Sequence, residues 1–295
     1  MASVLRQALR SDARLTRPYH TIVAERERMS AGAWLFALPL HDPRSRQRPN
    51  IGQQTSRCSM TVSRKVAVIT GASQGIGAGL VEAFLLRGHQ VVATSRSIQP
   101  STNPDLATIA GDIGDPETGK RVIEEAMTRF GRVDTLVNNA GIFIPSAFTE
   151  YTPDQYAQML STNLNGFFYI SQHAIKAMVP QKSGHVVQIS TSLIDQANSN
   201  IPSVLASVTK GGLNAATKSL AIEYASRGVR VNAVALGIIK TPMHAPETHE
   251  QLAQLHPLRR MGEVSDIVDA VLYLDDAQFV TGEILHVDGG QSAGH

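Results

Sequence analysis

The sequence predicts one doubly wound α/β domain, and three observations carry that prediction. From Lys65 onward, short runs rich in β-branched residues alternate with stretches of helical period. The strand runs are almost continuously apolar, as in a parallel sheet covered by helices on both faces. A glycine-rich turn stands between the first strand and the first helix, at the end of the sheet where such folds bind ligands. No internal repeat and no interdomain linker interrupts the chain after residue 65, so residues 60–295 form one domain.

The first strand is read at 66–70. After the glycine turn, Ile76, Leu80, Ala83 and Phe84 follow the spacing of one buried helix face, which Gly88 stops. The second strand is read at 91–94 and a weaker third at 106–110. Val122, Ile123, Ala126, Met127 and Phe130 repeat the helical device before Gly131. Strands at 133–137, 186–189, 229–234 and 284–287 complete a sheet of seven.

Composition bounds the function. Over 295 residues, 42% are hydrophobic, 18% charged and 5% aromatic, which excludes wholesale disorder, collagen and disulfide scaffolds. A single cysteine, Cys58, cannot form an intramolecular disulfide, so a reducing compartment, the cytoplasm, is expected. No run approaches the roughly 18 apolar residues of a membrane span, and no membrane partner is expected. Residues 1–59 hold ten arginines, no lysine and four acids, a net charge of +6. That segment has two readings. It is an Arg-rich, weakly amphipathic transit peptide, which would make the protein mitochondrial, or an extension preceding a natural start at Met60. Asp12, Glu25 and Glu27 dilute the transit signal and favour the second. The remaining 17 basic and 21 acidic residues give −4, which offers no electrostatic reason for nucleic acid as a partner.

The turn after the first strand reads Thr70-Gly71-Ala72-Ser73-Gln74-Gly75-Ile76-Gly77. Glycines suit a sharp turn, a backbone that approaches a pyrophosphate, and a helix packed close to its strand. Free N–H groups and the positive end of the helix dipole then face the anion.

This glycine spacing resembles that of the short-chain dehydrogenase/reductase family, and further motifs in order support the likeness over residues 64–291. Asn138-Asn139-Ala140-Gly141 follows the fourth strand, and Asn163 lies in Ser-Thr-Asn-Leu-Asn-Gly-Phe-Phe. Phe279-Val280-Thr281-Gly282 and Val287-Asp288-Gly289-Gly290 match the family's C-terminal strand signature. The resemblance implies a Rossmann-type sheet, a nicotinamide dinucleotide and a homodimer or homotetramer. It implies cofactor contacts from Gly71, Ser73, Gln74, Gly75, Ile76 and Gly77. Further contacts are Asp112 and Ile113 at the adenine, then Asn139, Ala140, Gly141, Lys210, Ile239 and Thr241.

The second strand ends at Ser95-Arg96, 18 residues beyond Gly77, where an NAD enzyme generally places an acid on the ribose 2′-hydroxyl. Ser95 cannot repel a 2′-phosphate and Arg96 can bind one through a charge-assisted planar contact, so NADP is favoured over NAD. Gln74, where some NADP members carry a basic residue, counts against it.

In this family a Ser, a Tyr, a Lys four residues after the Tyr, and an Asn act together as a proton relay during hydride transfer. Lys210 is present, but position 206 holds an alanine, and a methyl group can neither give nor take a proton. Thr191 or Ser192 stands where the family's Ser belongs. Three readings follow. Lys210, partly desolvated, serves as acid through a water held by Asn163. Alternatively, substrate or water supplies the proton in a pocket made by Thr191, Ser192 and Asn163. In the third reading the protein binds NADP without turnover, as a regulatory or scaffold protein. The retained Asn163, Lys210 and hydroxyls favour an NADP-dependent oxidoreductase.

Two further features concern the wall. The family's Pro-Gly pair reads Leu236-Gly237, which removes some preorganisation of the loop but no chemical group. Residues 242–262 occupy the family's substrate-lid position, and the segment is short and polar, which suits a small carbonyl or alcohol substrate. His244, His249 and His256 are read there as solvated residues, since their spacing does not place all three on one helical face and no metal is expected.

Overall fold

The computed structural model describes residues 64–294. The basic segment 1–59 and both of its readings lie outside the described residues. Seven strands and seven helices follow in order: β1 (Val66–Thr70), α1 (Gly75–Leu86), β2 (Gln90–Ser95), β3 (Leu106–Ala110), α2 (Pro116–Glu125) and β4 (Thr135–Asn138). Then come α3 (Pro153–Met159), α4 (Gly166–Gln181), β5 (Gly184–Thr191), α5 (Val204–Tyr224), β6 (Val229–Leu236), α6 (His249–Ala253), α7 (Val264–Asp276) and β7 (Ile284–Val287).

All strand pairs are parallel, in the order β3-β2-β1-β4-β5-β6-β7. The chain therefore builds outward from β1 to β3, then returns to place β4 on the other side of β1. That reversal opens a crevice at the carboxyl ends of β1 and β4. Strand alternation divides the core into two. Val66, Val68, Val186 and Val231 pack with Val122 of α2 and Ile170, Ala174 and Met178 of α4. Ala67, Ile69, Val91 and Val187 face the other way, onto Leu80 and Phe84 of α1 and Ile267, Val271 and Leu274 of α7.

Three sequence expectations shift. The fourth strand begins at Thr135, not at 133, because Val133 spends its N–H on Gln181 Oε1 at 3.0 Å and its carbonyl on Gln181 Nε2 at 2.7 Å. The fifth strand runs on through Ser190 and Thr191, whose polar side chains conceal it from an apolar criterion. The helical period through Phe130 is real, but α2 closes at Glu125 and the chain widens into a π-turn, Ala126–Phe130.

The opposite, amino-terminal edge of the sheet holds a buried polar network. Asp275, near the end of α7, accepts hydrogen bonds from Thr135 Oγ1 at 2.5 Å and from His185 Nδ1 at 3.3 Å. The other ring nitrogen of His185 lies 3.0 Å from Asn232 Nδ2, an obligatory donor, which fixes the neutral ring with its proton on Nδ1. Burial keeps His185 below its usual pKa. Burial also opposes charge on Asp275, but the hydrogen bonds from His185 and Thr135 outweigh it and hold the carboxyl at about 2.

The folded pKa of Asp275 lies below its unfolded value, so its contribution is complete above pH ~5 and disappears as pH falls toward 2. The depression corresponds to about 2 kcal/mol. Asp275→Asn should therefore lower the urea-unfolding free energy by about that amount at pH 7. The gap from wild type should narrow as the titration moves from pH 5 to 2. A gap unchanged across that range would show that the carboxylate charge plays no part.

Candidate active site

A cavity of about 800 Å³ lies at the carboxyl ends of the strands. Its floor is the glycine turn. Gly71 and Gly75 adopt φ of +65° and +55°, the left-handed region that disfavours side chains. A Cβ at Gly71 would stand 2.8 Å from Ala140 Cα, and one at Gly77 would collide with the Gly71 carbonyl oxygen. Gln74 precedes α1 without a side-chain cap, so the first-turn N–H groups of that helix have no side chain over them. Asn139 binds the turn to β4: its Nδ2 donates to the carbonyls of Thr70 and Gly71 at 2.9 and 3.1 Å. The backbone N–H groups of Asn139 and Ala140 both donate to Thr70 Oγ1, at 3.0 and 2.9 Å.

The structure brings nearly all of the expected cofactor contacts to this cavity. Ser73, Gln74, Gly75 and Ile76 line it with Ser95, Arg96, Asp112, Ile113, Ala140, Gly141, Ile239 and Thr241. Gly77 lies behind the turn and serves its close packing. Two buried hydroxyl oxygens at the wall, Thr94 Oγ1 and Ser95 Oγ, have no hydrogen-bond partner. Arg96 is exposed beside them. Orphaned hydroxyls, a turn that a Cβ would fill and an uncapped helix start fit a dinucleotide phosphate and its ribose.

The catalytic candidates separate. Thr191 lines the cavity, and its Oγ1 accepts from Leu193 N at 3.3 Å, which leaves its proton free to donate. Ser192 does not line it; fully buried, it donates to Gln291 Oε1 at 2.9 Å. Lys210 Nζ donates to the Ile189 carbonyl at 2.5 Å, and burial brings its pKa down to about 8. Ala206, one turn earlier on α5, is 4% exposed and packs with Met159 and Leu205. The methyl thus belongs to a small apolar cluster.

Asn163 also lies off the cavity wall, on a π-helical segment, Leu160–Asn165, before α4. Its Oδ1 accepts from Ile142 N at 2.9 Å, while Nδ2 donates to Ile142 O at 3.1 Å and to Thr209 Oγ1 at 3.2 Å. With both amide protons engaged, the side chain positions the segment after Gly141.

The lid differs from its reading in two ways. His256 is buried, not solvated, and its Nε2 accepts from Ile238 N at 2.9 Å. That bond pins the loop at which the family's proline is missing. The lid also turns apolar residues inward, because Met243, Leu252 and Leu255 line the cavity alongside His244, Thr248 and Gln251. Among the wall residues that the sequence did not single out, Ser190 and Gln291 are polar and buried. Ser190, with a buried unpartnered hydroxyl, is legible only once β5 is extended through it. Gln291 reaches the wall from beyond β7 and has no sequence signal.

The family model described as "Enoyl-(Acyl carrier protein) reductase" matches residues 71–292. The chain is 36% identical over 243 residues to 3-oxoacyl-[acyl-carrier-protein] reductase FabG of Salmonella typhimurium, covering 78% of this chain and 98% of that protein. The corresponding Escherichia coli protein is 35% identical over the same coverage. Among solved structures, "ElxO with NADP Bound" superposes with a TM-score of 0.73 at 30% identity, covering 78% of this chain and all of that one. Thermoplasma acidophilum aldohexose dehydrogenase in ligand-free form gives 0.73 at 28% identity, covering 79% and 95%.

Asn163→Ala would strand the Ile142 N–H and carbonyl as well as Thr209. Leaving buried partners unsatisfied should cost about 2 kcal/mol or more in chemical denaturation. Stability within a few tenths of a kcal/mol of wild type would contradict the positioning role.

Proposed function

Because the chain belongs to the short-chain dehydrogenase/reductase family, we propose that it is an NADP-dependent oxidoreductase interconverting a small carbonyl compound and its alcohol. One observation carries the reading: an anion-binding glycine turn meets the Thr191 hydroxyl and the buried Lys210 ammonium in a single cavity. When bound, NADP supplies or takes up the hydride at its nicotinamide ring.

The remaining work falls to the protein. Ser95 and Arg96 receive the 2′-phosphate, the first by lacking a carboxylate and the second by its planar charge. The NADP-bound likeness of ElxO supports that choice. The Lys210 ammonium, held by Ile189 O, stands close to Gly141, where a Cβ would come within 3.1 Å of Nζ. From there it binds ribose hydroxyls and stabilises negative charge developing on the substrate oxygen. Thr191 donates its free proton to the same oxygen. Ile142, Phe143, Leu193 and Leu252 supply apolar walls that exclude water and strengthen these contacts. A second reading, dinucleotide binding without turnover, draws on the apolar packing of Ala206 with Met159 and Leu205.

Arg96→Ala should weaken NADPH at least about 10-fold more than NADH in fluorescence titrations, by loss of a charge-assisted contact. Equal losses would remove the cofactor assignment. Ala206→Tyr separates the two readings when NADPH oxidation is followed with ethyl acetoacetate, benzaldehyde and cyclohexanone. A protein that only binds should gain activity, since Lys210 would lower the pKa of a phenol one turn away. An enzyme with another proton carrier should lose activity as the ring fills the space its substrate needs.

A further inference from the structure

Removing the phenol leaves an accounting problem. A carbonyl oxygen that becomes a hydroxyl must receive a proton, and neither the Ala206 methyl nor the occupied Asn163 amide can give one. Among the described residues, the titratable side chains lining the cavity are Arg96, Asp112, Lys210 and His244. Arg96 and Asp112 follow β2 and β3, three and four strands from β5 and so about 14 and 19 Å away. Lys210 and His244 are left for the half of the cavity that holds Thr191 and Ala206.

These two groups differ in engagement. Lys210 Nζ is bonded to the Ile189 carbonyl. His244 is anchored through its backbone alone: its N–H donates to Thr241 O at 3.0 Å, and its carbonyl lies 3.2 Å from His249 Nε2. The imidazole itself makes no hydrogen bond among the described residues. The segment that carries it leaves β6, passes against Gly75 at Thr241 and Pro242, and enters the lid. His244 therefore lines the cavity from the lid segment.

We infer that His244 is the acid–base group of this site, exchanging with the substrate oxygen the proton that the family's tyrosine would handle. The inference rests on the oxidoreductase reading. In reduction, the bound dinucleotide would supply a hydride to the carbonyl carbon while the imidazolium gives its N–H proton to the oxygen. In oxidation, neutral imidazole takes the hydroxyl proton while the carbinol carbon would give its hydride to the oxidised dinucleotide. Lys210 keeps its charge throughout. Burial, and secondarily the neighbouring His249, hold the imidazole below the ordinary histidine value of 6.5, so at neutral pH it is mainly the base. His249, five residues along the lid, is the titratable neighbour that acts on the ring, while Lys210, Arg96 and Asp112 are the other titratable groups on the cavity wall among the described residues.

The test compares pH profiles in both directions for wild type, His244→Gln and Lys210→Met, with ethyl acetoacetate and its alcohol as probes. Wild-type kcat/KM for oxidation should rise through an apparent pKa below 6.5 and then level, and that for reduction should fall over the same range. His244→Gln should lower kcat about 100-fold or more with little change in KM, and should abolish that limb. Imidazole added to His244→Ala should restore part of the rate. A readout independent of turnover is the ring proton resonance lost in His244→Gln, which should titrate below 6.5 and shift when NADP and the alcohol fill the cavity. A limb near 8 that survives His244→Gln and disappears in Lys210→Met would transfer the role to Lys210 and overturn the inference. Full turnover in His244→Gln would overturn it without touching the oxidoreductase reading. NADPH binding with no turnover of any probe by wild type would remove both.

Discussion

The hydrogen bonds between Thr70 and the Asn139-Ala140 backbone, with Asn139 Nδ2 reaching back to the Thr70 and Gly71 carbonyls, tie the glycine turn to the end of β4. The cavity depends on them. β1 and β4 are the strands between which the chain reverses direction, so nothing covalent nearby holds their ends together. Side chains at Gly71 or Gly77 would force the turn away from Ala140 or from itself. Glycine permits the approach, and Asn139 fixes it. The start of α1 is then aimed at the space where an anion can sit.

The two edges of the sheet divide the work. At the amino-terminal edge, Thr135, His185, Asn232 and Asp275 satisfy one another in a closed network. Within that network each side chain has a partner, and its role is to stabilise. At the carboxyl edge, Thr94, Ser95 and Ser190 keep buried hydroxyls without partners. Unsatisfied polar groups cost stability, and they persist where a ligand can complete them.

Replacing tyrosine by alanine changes more than one atom set. The methyl joins Met159 and Leu205, and Ile142, Phe143 and Ile144 pack against them. The cavity is thus more apolar on the α5 side than a phenol would leave it. Apolar surroundings lower the pKa of a lysine or histidine and sharpen every charge that remains. Burial lowers the pKa of Lys210 to about 8 and, with the neighbouring His249, holds that of His244 below its ordinary value. On the inference above, His244 on the lid compensates for the phenol absent from α5. The loop without its proline shows similar compensation, since the His256 ring holds Ile238 by a hydrogen bond where a ring-locked backbone would otherwise stiffen the chain.

The sequence by itself determined the fold. Short, nearly continuous apolar runs, helices with a period near 3.6 and glycines at fixed spacing are local patterns, and local patterns specify elements. It also determined which residues gather at the dinucleotide site, because the turn, the ends of β2 and β3 and the end of β4 are held in place by the parallel sheet. The tertiary structure alone decided what each polar side chain does. Ser192 and Thr191 are neighbours in sequence, yet alternation sends one to Gln291 and leaves the other on the cavity wall. Asn163 carries the expected motif, but Ile142 and Thr209 occupy its amide. His244 and His256 look alike in a polar lid, and packing buries one as a backbone acceptor while the other faces the cavity unbonded. Each of these hydrogen bonds joins residues distant in sequence, and no pattern within one segment records such a partner.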